Sequence, residues 1–145
     1  MVNLQKYIEF CRGLAERIPD IKSAMLVTTE QGMADRIARI PEADTPLLLV
    51  LPPIAKVSAS NPDAVREVNS AVVFVMQKFN QRDTTAGQVL IESQRAAEEF
   101  KNLLIRETAR PCGAFSLEPD TIDIMPETEF FASWAGWSIG FAFTE

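Results

Sequence analysis

Apolar residues recur at three- and four-residue steps through Leu4, Tyr7, Ile8, Cys11, Leu14, Ala15 and Ile18. That spacing predicts an amphipathic helix, with Asn3 placed to cap it and Pro19 to stop it. Residues 23–29 then read as a short strand around Ala24-Met25-Leu26-Val27. Met33, Ile37 and Ile40 have helical spacing over a short stretch. Two uninterrupted apolar runs follow, Leu47-Leu48-Leu49-Val50-Leu51 and Ala71-Val72-Val73-Phe74-Val75-Met76. Both have the length and composition of strands and neither alternates, which is the pattern of strands covered on both faces. Asn61-Pro62-Asp63 between them supplies turn chemistry. The simplest arrangement is a long hairpin with a buried base and a more polar, projecting tip at residues 56–68.

Residues 83–109 carry the most regular helical pattern. Thr85-Ala86-Gly87-Gln88 fits a capping box, in which hydroxyl and amide answer each other's backbone donors. Leu90, Ala97, Phe100 and Leu104 form the apolar stripe, with Val89, Ala96 and Leu103 beside it, and Pro111 ends the helix. The last third is β. Ile122 and Ile124 alternate with Thr121 and Asp123, and then Trp137, Ile139, Phe141 and Phe143 alternate with Ser138, Gly140, Ala142 and Thr144. One face of that final strand is bulky and the other is small enough for close approach of another backbone.

These elements predict an α+β fold: one domain over residues 1–145, with a single antiparallel sheet of about four or five strands, a long hairpin and two main helices packed on one face. The pattern leaves a surplus. Two helices cover one face of such a sheet, yet several strands are apolar on both, so the other face needs a cover. A neighbouring subunit is the economical one.

Composition narrows the partners. Hydrophobic residues make up 47% and charged residues 23% of the 145, a globular balance. With 20 acidic against 14 basic residues the net charge is −6, which argues against a nucleic-acid or anionic-membrane surface; a local basic patch stays open, but nothing in the sequence proposes one. Met1 is followed by a polar amphipathic segment rather than a secretion signal, and no apolar run is long enough to span a bilayer. The cytoplasm is the expected location. Cys11 lies on the stripe of the first helix and reads as a buried, inert thiol, while Cys112 lies in a loop. Reduced thiols are expected there, although the sequence leaves a disulfide open.

The chain contains no histidine, which removes Ser-His-Asp and Cys-His catalysis and histidine-based metal sites. Gly136-Trp137-Ser138-Ile139-Gly140 matches the G-x-S-x-G nucleophile elbow in letters. The elbow needs a strand-turn-helix setting and a histidine base, whereas this copy falls in an alternating strand. Gly-rich phosphate loops are missing, and two distant cysteines cannot form a tetrahedral zinc site. No cofactor or enzymatic activity is expected. Glu118, Asp120, Asp123, Glu127 and Glu129 crowd together; a divalent-cation site is one reading, and a solvated acidic edge that resists aggregation is the plainer one.

Phe130, Phe131, Trp134 and Trp137 concentrate aromatic surface. Core packing against the helices is the plain reading, and an interface anchor is the functional one. A bend or bulge at Trp134-Ala135-Gly136 would leave one tryptophan partly exposed. Together with Val57, Asn61, Asp63 and Val65 of the hairpin tip, these four aromatics are the candidate interface residues.

The C-terminal pattern resembles a known family. An isoleucine strand, a Pro-acidic link, Phe130-Phe131, then Ala135-Gly136-Trp137 opening a bulky-small strand look like the tail terminator and tail completion proteins of tailed phages and prophages. The amphipathic first helix, Thr45-Pro46 leading into an apolar strand, the long hairpin and the capped helix near residue 85 occur in the same order, so the resemblance spans nearly the whole chain. It implies an oligomeric ring, commonly a hexamer, that caps the tail tube and meets other phage structural proteins, with the hairpin as a contact arm and no catalytic residues. The alternative is a dimeric α+β binding module that holds a peptide or apolar ligand between helices and sheet.

Overall fold

The computed structural model describes residues 1–29, 32–128 and 133–145. The first helix, Leu4–Glu16 (α1), is capped by Asn3, whose side chain accepts from the Lys6 N–H. A short strand Ala24–Leu26 (β1) leads to helix Met33–Ala38 (α2), a 3-10 turn Glu42–Asp44 and strand Leu47–Val50 (β2). Ile54–Ala59 (β3) and Val65–Lys78 (β4) follow, then helix Ala86–Thr108 (α3) and strands Ser116–Glu127 (β5) and Trp134–Thr144 (β6).

The class is α+β, as the pattern predicts, but the sheet is larger. It has six strands in the order β1-β2-β4-β6-β5, with β3 pairing β4 beside β2. Pro52-Pro53 explains the extra strand. Proline cannot donate to a ladder, so the first leg of the hairpin breaks into β2 and β3, and the long β4 pairs both in succession. The sheet is also not wholly antiparallel. β1 lies parallel to β2 (Met25 opposite Leu49), because the stretch between them, with α2, is long enough for a crossover.

The two faces of the sheet differ. Leu48, Val50, Val73, Val75, Ile139, Phe141 and Phe143 point to one face and pack against α1 and α3, giving the main core. Tyr7 stacks on Phe143 with centroids 5.6 Å apart, and Phe115 packs edge-on to both. On the opposite face Met33 and Ile37 of α2 cover Leu47, Leu49, Met76 and Trp134 in a smaller core. β2 is therefore buried on both sides because different helices cover each side, whereas on its second face β4 is fully buried only at Met76 and partly at Val72 and Phe74. The capping box of α3 is half formed. Thr85 Oγ1 accepts from the Gln88 N–H, but the Gln88 amide turns away to Glu92.

Candidate assembly surface

The hairpin projects as expected. β6 accompanies β4 only as far as Asn69, opposite Phe143; among the described residues, β4 from Val65 to Val68 pairs with β3 alone. A two-stranded ribbon is marginal alone, and this one is tied down at its base. The Met1 amino group pairs with Glu67, and Arg66 reaches across the end of β6 to pair with Glu118. Asn69 is buried and accepts from the Val2 N–H. At the tip the Asn61 side chain accepts from the Asp63 N–H at 2.9 Å, closing an Asx turn. Asn61 therefore shapes the tip.

Register sorts the arm's side chains. Val57 and Val65, 61% and 60% exposed, lie on the face that α1 covers further down, while Ile54, 73% exposed, lies on the other. That second face is open beyond α2. Its floor is made of small residues on β6: Ser138 opposite Phe74, Gly140 opposite Val72, and Ala142 opposite Ser70. Ile54 flanks the floor on one side, and Met125, 51% exposed, flanks it on the other. Isolated exposed apolar residues are ordinary, but here two of them border a strand face over which no helix of the described chain is layered beyond α2, its small floor residues Ser138 and Ala142 being buried between larger neighbours.

The tryptophans part company. Trp134 is 1% exposed and belongs to the core beneath α2, so within this chain its ring is no surface anchor. The expected bulge is not formed: residues 134–136 pair regularly with Lys78, Gln77 and Met76. The reason is Gly136, where an added Cβ would fall 2.0 Å from the Val75 carbonyl oxygen. Glycine lets the two backbones lie flush instead of buckling. Trp137 is half-buried against the main core, and its indole N–H donates to the Leu90 carbonyl at 3.0 Å. Both indoles thus follow the packing reading. Phe130 and Phe131 lie outside the described residues, as does Glu129.

Ser138 sits mid-strand and its hydroxyl contacts the Met125 carbonyl at 3.5 Å, so the strand-turn-helix setting of a nucleophile elbow is not formed at this motif. Among the described residues no three Cys, Asp or Glu side chains converge on a point that could hold a metal ion. Both cysteines are free thiols, Cys11 buried and Cys112 exposed. Burial pushes the Cys11 thiol up to about 12 and drives the neighbouring Tyr7 phenol upward too. The Tyr7 hydroxyl has no nitrogen or oxygen partner and rests beside the weakly accepting Cys11 sulfur. No helix among the described residues is long and apolar enough to cross a membrane.

Sequence reasoning missed one feature. Lys22, Met25, Arg36, Arg39, Ile40 and Asp44 line an open cleft of about 640 Å³ between the free edge of β1 and the end of α2. Lys22 lies 14 and 17 positions before Arg36 and Arg39 in a chain of net charge −6, and the parallel β1–β2 crossover brings it to them. Compared with family models, curated proteins and solved structures, the chain has no significant match.

Proposed function

We propose that this chain is a structural assembly protein of the phage or prophage tail-terminator type, which works by joining copies of itself into a ring and meeting tail proteins, without catalysis. The observation that carries the reading is the open sheet face bordered by Ile54 and Met125, together with the hairpin that extends beyond the sheet. Such a face is stable in water when another surface covers it, and a ribbon anchored at its base and reaching past the fold is suited to grip a neighbour. Assembly would take place in the cytoplasm, with other phage structural proteins as further partners.

The ligand-binding alternative has less support. The layer between helices and sheet is filled by Tyr7, Phe10, Phe115, Phe141 and Phe143, and the gap among them admits no water molecule. Light scattering coupled to size exclusion, with electron microscopy of the main peak, tests the proposal. A ring-sized or concentration-dependent oligomer is expected, and replacing residues 60–64 by a two-residue turn should weaken it without unfolding the chain. A strict monomer across the accessible concentration range would overturn the ring.

A further inference from the structure

The two outer edges of the sheet carry opposite charge. At the β1 edge, Lys22, Arg36 and Arg39 are exposed around the cleft, and among the described residues none of them has a carboxylate within ion-pair distance. Among the described residues that line it, Asp44 is the one acid. At the β5 edge, Asp120 and Asp123 are exposed and Glu127 is half-buried, again without an ion-pair partner among the described residues. Asp123 and Glu127 stand on the open face, opposite Gly140 and Gly136. Among the described residues each edge strand is paired on one side only.

These groups cannot meet within one molecule. They sit at the two ends of the order β1-β2-β4-β6-β5, four strand spacings or roughly 19 Å apart. We infer that the cleft beside β1 receives the β5 edge of a second copy of this chain, with Lys22, Arg36 and Arg39 of one copy facing Asp120, Asp123 and Glu127 of the next. The inference rests on the ring reading and says how the ring is joined. The contact is heterologous, so each copy uses one edge to bind and offers the other, which is the geometry that closes into rings. It also lays the apolar lining of the cleft, Met25 and Ile40, beside the outer border of the open face at Met125. Charge complementarity favours another copy over nucleic acid as occupant: three cations with an opposing aspartate make a poor phosphate track, but they match a short acidic strand.

Charge reversal on each side decides it. Arg36→Glu/Arg39→Glu makes both edges acidic, and Asp120→Lys/Asp123→Lys makes both basic. All four positions are exposed, so circular dichroism and melting should show both variants folded. Each variant alone should lose the wild-type oligomer, with self-association weakened roughly tenfold or more by like-charge contact. An equimolar mixture should recover it, because every cleft then faces an edge of opposite sign. Raised salt should weaken the wild-type oligomer. If the wild type is a ring and either variant keeps it, or if mixing restores nothing, the edge-to-cleft pairing is wrong while the ring reading stands. If the wild type is a monomer at all concentrations, both fall together.

Discussion

Lys78 Nζ donates to the Ala38 carbonyl oxygen at 2.7 Å, and to that of Ile40 at 2.9 Å. A cation from the end of β4 thus closes the C-terminal turn of α2, where helix carbonyls lack partners of their own. This bond fixes a six-residue helix that is far too short to hold itself. It thereby places Arg36 and Arg39 beside the β1 cleft. Lys78→Met keeps most of the stem but removes the donor. A charge-assisted contact of this kind contributes about 1–3 kcal/mol, so the urea midpoint should fall accordingly with an unchanged slope. Because α2 also shields Trp134, that indole should become more accessible to acrylamide quenching. An unaltered quenching constant would mean that the apolar contacts of Met33 and Ile37 hold α2 alone.

Gly136 and Gly140 make a controlled pair on one strand. A Cβ at Gly136 would meet the Val75 carbonyl oxygen at 2.0 Å and the Met76 Cα at 2.9 Å, both backbone atoms that cannot swing aside. A Cβ at Gly140 meets the Val72 Cγ2 at 3.6 Å, an ordinary contact. Gly136→Ala should therefore cost about 3 kcal/mol or more, or prevent folding. Gly140→Ala should lie within about 1 kcal/mol of wild type, helped by the lower entropy of its unfolded chain. Thermal melts of the two variants side by side are the check.

The two tryptophans should respond differently because they do different things. Trp134 is enclosed by α2 and the sheet, and truncation to alanine there should cost about 3–5 kcal/mol. Trp137→Phe keeps a ring against the core but gives up the hydrogen bond to Leu90. It should cost about 1 kcal/mol. Far-ultraviolet circular dichroism during urea unfolding reads both without depending on the removed fluorophore.

Much of this was legible in the sequence because it is local or periodic. The α1 stripe and its Asn3 cap, the α3 stripe, the buried Cys11 and the alternation of β6 follow from spacing alone, and the structure places them accordingly. What escaped was set by distant partners. Pro52-Pro53 reads as a stop, and only the length of β4 makes it a join between two strands. The flush packing at Gly136 depends on Val75, far away in sequence, so a bulge was the natural local expectation. The cleft is the clearest case: Lys22 and Arg39 are unremarkable surface cations until β1 lies parallel to β2 and α2 crosses between them.

The Cys11–Tyr7 neighbourhood predicts an alkaline weak point. Burial raises the Cys11 thiol from 9.0 to about 12, and it raises the Tyr7 phenol from 10.0 in the same sense. Both are acids kept neutral by the fold, so the native state holds protons that the unfolded chain releases. Below about pH 8 neither state is appreciably ionised and stability carries no dependence from these groups. Above it the unfolded chain ionises first, and stability should fall as pH rises toward 12, by at most about 1.4 kcal/mol per pH unit for each group. Cys11→Ala removes one of the two. Its stability should be lower at pH 7 through the small cavity it leaves, yet fall less steeply between pH 9 and 10. Urea titrations at half-unit pH steps give both slopes, and equal slopes would show that Cys11 is not titrating in the unfolded chain alone. Thiol labelling at pH 8 offers an independent reading: exposed Cys112 should react at once, and Cys11 only after denaturant is added.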